Sequence, residues 1–312
     1  MAHNLFLGMY SFRIKKKHSK NSEVIDNNNF LSEAYEDIEA NKFGSGFVQD
    51  IIKVFDLGTF KNDKNTHGAI LEEKEFDKNN RTIDILINGG ITGLKQYLID
   101  EKGDTSELSK KDTVALKFYA RIWLPANSKS GYIFLQKYGS LSIKPIFDAI
   151  LKKVLNEKNY SLVGRKIDAT TTKKRQKEFM KHSSLKDVIL VSKRSLFDTN
   201  SVQAKQATIK LSNIKHISGN TIDKKDLKKA LKNHGFSIGN RQYEIKATYT
   251  NNEDGYKQER TVILDDSEET INIIPSVLIP KICIDKDNSP VFSEMKKLVD
   301  LEMLQVKKEA KI

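Results

Sequence analysis

Residues 160–192 read YSLVGRKIDATTTKKRQKEFMKHSSLKDVILVS. Ser161–Ile167 has the character of a strand. Thr172–His182 is a helix-forming run with a threonine at its start, where a hydroxyl can accept from a free backbone amide. Asp187–Ser192 is β-rich again. Beyond it, Gln206–Ile214 reads as a strand. Asp223–His234 reads as a helix, with Asp223 as N-cap and Gly235 as its stop, and Gln242–Thr250 as a strand. The order is βαββαβ, the ferredoxin-like or split-βαβ arrangement. The expected fold class is therefore α+β, with mixed or antiparallel sheets, packed helices and a ferredoxin-like core over 160–250.

On the N-terminal side, Asn4–Ile14, Gly46–Phe55, Ala69–Phe76, Arg81–Ile87, Thr113–Leu124 and Tyr132–Tyr138 read as strands. Helices are expected near Leu31–Ala40 and over Thr92–Leu98, the second following a break at Gly89 and Gly90. The clearest helix carries Ile143, Ile146, Phe147, Ile150, Leu151, Val154 and Leu155 at i, i+3, i+4, i+7, i+8, i+11 and i+12, a complete apolar stripe. Pro145 suits its first turn, where no amide donor is needed. Toward the C-terminus come strands at Arg260–Leu264 and Ile271–Ile279. A helix then starts near Pro290, with Ser289 as cap and Met295, Leu298, Val299, Glu302 and Val306 inward. The expected division is an N-terminal α+β domain over 1–158 and a basic C-terminal α+β domain over 159–312.

Charge is distributed unevenly. Net charge is −1 over residues 1–128, +17 over 129–246 and −4 over 247–312. Between Leu151 and Arg194, thirteen of forty-four residues are Lys or Arg and four are acidic. A cationic middle between neutral or acidic flanks suggests a surface that meets a polyanion. The expected nucleic-acid contacts are Arg165, Lys166, Lys173, Lys174, Arg175, Lys177, Lys181, Lys193 and Arg194. Lys174, Lys177 and Lys181 share one side of their helix at i, i+3 and i+7. Each phosphate neutralised there would release counterion and make binding steeply salt-dependent. A second lysine-rich helix (Lys224, Lys225, Lys228, Lys229 and Lys232) is partly offset by Asp223 and Asp226.

An RNA-recognition module resembles the central block in element order only. Ala207–Ile214 and Ser161–Ile167 lack the stacked aromatics such a module uses, so backbone contact rather than base readout is expected.

Catalytic patterns are weaker. Asp63 ahead of Glu72-Glu73-Lys74, and separately Glu244-Ile245-Lys246, echo the acid plus E-x-K arrangement of metal-dependent nucleases. There two carboxylates hold Mg²⁺ and a lysine orients water. E-x-K arises readily by chance in a chain this rich in both residues. Asp285 and Asp287, and the acidic run Asp265–Glu269, read as solvated turns. Gln136, Lys137, Ser140 and Lys144 surround a strand-to-helix turn of the kind that can hold an anion. Phosphate-cradling glycine loops and nucleophile elbows are missing. No cofactor is expected, apart from Mg²⁺ in the nuclease case.

Cys283 is the single cysteine, flanked by isoleucines, and reads as a small core residue. Hydrophobic residues make up 38% of the chain and no apolar run reaches bilayer length, so a cytoplasmic protein without membrane partners is expected. The heavy use of Lys, Asn and Ile resembles that of AT-rich bacterial genomes and their mobile elements. The functional expectation is a nucleic-acid-binding protein, of DNA or RNA, serving a bacterial phage-defence or mobile-element system. Alternatives are a Mg²⁺-dependent nuclease and a scaffold with protein partners.

Overall fold

The computed structural model describes residues 5–16, 47–56, 60–62, 66–77, 79–93, 95–109, 111–125, 128–139, 141–157, 159–165, 167–192, 197–199, 202–204, 208–212, 224–233, 243–251, 258–263 and 274–311. In chain order the longer elements are β1 (Leu5–Phe12), α1 (Phe47–Asp56), β2 (His67–Asp77), β3 (Thr82–Ile91), β4 (Val114–Trp123), β5 (Gly131–Tyr138), α2 (Lys144–Glu157), α3 (Lys173–Lys181), β6 (Ser183–Ser192), β7 (Thr208–Ser212), α4 (Lys224–Asn233), β8 (Tyr243–Asn251), β9 (Gln258–Ile263) and α5 (Phe292–Ala310). They form two compact units, residues 1–170 with 276–312, and residues 171–275. The 159–312 block expected from sequence is thus divided, its C-terminal segment grouping with residues 1–170.

The first unit is built on a nine-stranded antiparallel sheet. Its order is the short strand 168–170, then β1, β5, β4, β3, β2 and the short strand 60–61. Strands 141–142 and 277–278 pair with β5 and β1. Both faces are covered. Ile83, Ile85, Ile87, Phe118, Ala120, Ile122, Ile133 and Leu135 join one core with α1 and α2. The alternate residues Leu86, Tyr119, Trp123 and Phe134 join another with Met295, Val299, Met303 and Val306 of α5. A strand covered on both sides loses polar alternation, so Thr82–Ile87 is buried at every position.

The face under α5 has a polar centre. Arg121 and Asp84 form a two-point ion pair, Nε to Oδ1 at 2.6 Å and Nη2 to Oδ2 at 3.1 Å, with side chains 2% and 1% exposed. Tyr119 donates its hydroxyl to Asp84, and Nη1 of Arg121 reaches Asp300 and, at 3.2 Å, the Met303 sulfur. A buried guanidinium must be paired and hydrogen-bonded to be tolerated, and here every nitrogen meets an acceptor. The β4–β5 ladder stops at Ala120 and Leu135. Past that point Gln136 Oε1 accepts from the Tyr119 amide at 3.0 Å, and the Tyr138 hydroxyl donates to Lys117 O at 2.8 Å.

Three sequence expectations change here. Residues 47–56 are a helix, not a strand: Ile51, Ile52 and Val54 face the core while Lys53 is exposed, a helical rather than alternating pattern. Thr92–Leu98 is not a helix. Gln96–Ile99 pairs with Thr105–Leu108 as a hairpin, closed by Asp100 Oδ1 accepting the amides of Lys102 and Asp104. Gly89 and Gly90 do not break the chain; they lie within β3. A Cβ on Gly90 would sit 1.8 Å from Val114 O, so glycine permits close strand approach.

The second unit has a four-stranded sheet, β7-β6-β8-β9, antiparallel throughout. β7 and β8 are both antiparallel to β6, so they run parallel to each other on either side of it, and α4 makes the crossover. The ferredoxin-like expectation fails at its first strand. Tyr160–Leu162 pairs with Ile14–Lys16 in the first unit, not with this sheet, and β9 takes the fourth place. The molecule is mostly β, with large antiparallel sheets, rather than a helix-packed α+β core. The physical reason is pairing register. Local propensity marks 160–162 as a strand but does not choose its partner.

Candidate nucleic-acid interface

α3 begins at Thr172, whose hydroxyl accepts from the Arg175 amide at 3.2 Å. Its C-terminal end is fastened to the sheet through one carbonyl. Phe179 O accepts from Ser183 Oγ at 2.5 Å and from Asn251 Nδ2 at 3.0 Å. The Phe179 side chain is buried and Met180 is partly so. Lys173, Lys174, Lys177 and Lys181 are exposed. Arg175 is half-buried, and Glu178 sits 3.2 Å from it and 3.8 Å from Lys174.

The first turn of α3 holds Lys173, Lys174 and Arg175 and no acid. Cations at a helix N-terminus oppose the helix dipole, each by about 0.3–1 kcal/mol at an exposed site. That positive potential adds to the dipole's own, and both favour an incoming anion.

The fold supplies what sequence order did not reveal. Phe179 of α3 and Leu227 and Leu231 of α4 belong to one apolar cluster with Leu185, Val188, Leu190, Ile245, Ala247 and Tyr249. These strand residues alternate along β6 and β8, so both helices cover the same face of one sheet. Each helix carries five Lys or Arg and one acid. On α4, Lys229 and Lys232 are exposed.

On the opposite face of that sheet, the described lysines lie beside acids. Lys210 lies 3.2 Å from Asp187, Lys246 2.9 Å from Glu244, and the bulged Lys186 2.9 Å from Glu259. The hydroxyls of Thr248 and Thr261 are 2.8 Å apart. Among the described residues of unit two, the helices carry the excess of cations, while the lysines named on the strand side each lie beside an acid.

Arg165 ends the short turn Val163–Arg165 in the first unit, whose Gly164 has a left-handed backbone. Lys166, Lys193 and Arg194 lie outside the described residues, as does Asp63 of the nuclease pattern. Glu72 and Lys74 face opposite ways. Glu72 binds Lys117 at 2.6 Å and accepts from Asn88 at 3.0 Å, whereas Lys74 stands opposite Ile85, which enters the other core. A bulge between Leu71 and Glu73 shifts the register at that point. Glu244 and Lys246 are engaged with each other.

The turn residues near 139 also separate. Gln136 is fully buried on the Tyr119 amide, Lys137 donates to Ser276 Oγ at 2.8 Å, and Lys144 pairs with Asp148 at 2.6 Å; Ser140 lies outside the described residues. Asp285 Oδ1 accepts the amides of Asp287 and Ser289, so it holds its own turn. The acidic run 265–269 lies outside the described residues.

Among the described residues no group of three or more His, Cys, Asp or Glu is placed to hold a metal ion, and no helix is long and apolar enough to cross a membrane. Comparison with protein-family models, with curated proteins and with solved structures gave no match to this chain.

Proposed function

We propose that the chain binds nucleic acid through the phosphate backbone, using the helical face of residues 171–275. The observation that carries this reading is the placement of α3 and α4 on one sheet face, each with five cations to one acid. Phosphate contact by such a face fixes position without reading sequence. The reading extends to a cytoplasmic protein, and the Lys-, Asn- and Ile-rich composition supports a link to a bacterial phage-defence or mobile-element system.

The test is a titration of the full chain against labelled DNA and RNA of unrelated sequences over a salt series. Replacing Lys173, Lys174, Arg175 and Lys177 together by alanine should weaken binding to every sequence. It should also reduce the slope of log K against log salt by about one per contacting cation. Binding that is unchanged in the quadruple variant would remove this surface from the proposal.

A further inference from the structure

We infer that residues 171–275 are an inserted module, joined to unit one by two single-residue crossings, that folds and unfolds by itself. β5 pairs with β1 along the whole of Leu5–Phe12, so the short strands 168–170 and 277–278 share the other edge of β1. They lie on it end to end, with Thr170 opposite Met9 and Val277 opposite Leu7. At about 3.4 Å per residue these two ends are about 7 Å apart along the edge. The whole of unit two leaves and returns through that interval. One edge strand is thus interrupted at a single ladder position, that of Gly8.

Both crossings are short. Thr170 is fixed in the ladder of β1, while Thr172 already caps α3 by accepting the Arg175 amide, so Thr171 alone lies between. On the return, Ile274 O accepts from Arg260 Nε of β9 at 3.2 Å, and Ser276 Oγ accepts from Lys137 Nζ at 2.8 Å. Pro275 alone lies between those two attachments, with its φ fixed by the ring. Gly8 makes room for the second attachment. A Cβ there would sit 3.1 Å from Lys137 Cε, so the missing side chain clears the path of Lys137 from β5 across β1 to Ser276.

Each unit also has a core of its own. The cluster from Phe179 to Tyr249 is made of unit-two residues, and the sheet β7-β6-β8-β9 lies within residues 183–263. The other two clusters are made of unit-one residues. A segment of this size can bury a core that is stable alone, and domains whose termini lie close together are readily inserted into others. Because the ends meet, the folded module holds Thr170 and Ser276 where β1 needs them, and unit one sees only a short closed link.

The test is amide hydrogen exchange of the full chain, read by mass spectrometry, with Trp123 emission as a second probe. Trp123 is the one tryptophan of the chain and is buried in unit one. Leu190→Ala opens a cavity in the core of unit two. It should speed exchange in β6 and β8 by about thirtyfold or more, and leave β3, β4, β5 and Trp123 emission as in the parent. Ile150→Ala, in a core of unit one, should speed exchange in β3, β4 and β5 and leave β6 and β8 unchanged. If Leu190→Ala unfolds unit two outright, parent-like Trp123 emission still supports the module. Equal acceleration in both units, or Trp123 emission that moves to the red with Leu190→Ala, would overturn it.

A last arm rests on the nucleic-acid reading above. A DNA hairpin or an RNA hairpin, added at low salt to about a hundred times its Kd, should slow exchange in β6 and β8 by about a hundredfold and leave β3, β4 and β5 unchanged. Slowing of both units alike would overturn the separateness of the module. If neither probe slows exchange while the two substitutions act as expected, the nucleic-acid reading falls and the inserted module stands.

Discussion

Arg121 and the cations of α3 show two ways in which one chain uses positive charge. Arg121 is 2% exposed, and its nitrogens meet Asp84, Asp300 and the Met303 sulfur between a sheet and a helix. Lys173, Lys174, Lys177 and Lys181 stand in solvent, on a helix whose one acid serves Lys174 and Arg175. The first charge is a commitment of the fold, because a guanidinium taken out of water must be fully partnered. The second adds little to folding and leaves a potential that reaches outward. Charge number alone does not separate these roles; burial and the ratio of acids to bases around each group do.

The largest effect is expected at Arg121. Arg121→Met should destabilise the chain by about 3–5 kcal/mol, since it leaves Asp84 buried without its cation. Adding Asp84→Leu should recover part of that loss, and chemical denaturation of the two variants checks it. A single variant as stable as the parent would contradict the buried pair. By contrast, the α3 alanine variant should lie within about 0.5 kcal/mol of the parent while losing affinity.

A smaller effect comes from the phenols in the same buried region. Burial holds the Tyr119 hydroxyl well above the ordinary range, and burial together with the Asp285 charge raises Tyr138 to about 12. A proton held more tightly by the folded chain than by the unfolded one stabilises the fold below the unfolded value of about 10. That stabilisation is lost as pH climbs from there through the folded value. Thermal stability should therefore fall between about pH 10 and 12, and Tyr138→Phe should shallow the fall. A stability profile that stays level across this interval would contradict it.

The smallest effect is expected on the strand side of the second unit. Lys210→Ala with Lys246→Ala removes two cations from the face where each lies beside an acid. Nucleic-acid affinity and salt slope should stay close to the parent's. A loss matching that of the α3 variant would mean that position on the helical side does not distinguish these lysines.

Much of the local structure was legible in the residues. The stripe from Ile143 to Leu155 gave a helix whose Ile146, Phe147, Ile150, Leu151, Val154 and Leu155 are buried. Thr172 caps α3 as its position suggested, and Cys283 is buried among apolar neighbours. Phe47–Asp56 misled because its β-branched composition suggested a strand while its spacing was helical. Arg121 gave no warning, since Lys117 and Arg121 four residues apart within KFYARIW look like ordinary alternation. Only the second covered face turns it into a buried ion. The nuclease pattern read Glu72 and Lys74 as neighbours in sequence, but a bulge and strand register set their directions.

By itself the amino-acid order determined where charge concentrates, the helix from Lys144 to Glu157 and where α3 begins. These depend on interactions within a few residues, which periodicity and capping chemistry report directly. Tertiary structure alone decided that Tyr160–Leu162 pairs with Ile14–Lys16, that residues 276–312 group with residues 1–170, and that two lysine-rich helices lie on one face of one sheet. Strand partnership and helix docking are settled by burial of apolar surface between segments far apart in the chain, and local preference carries no information about that choice.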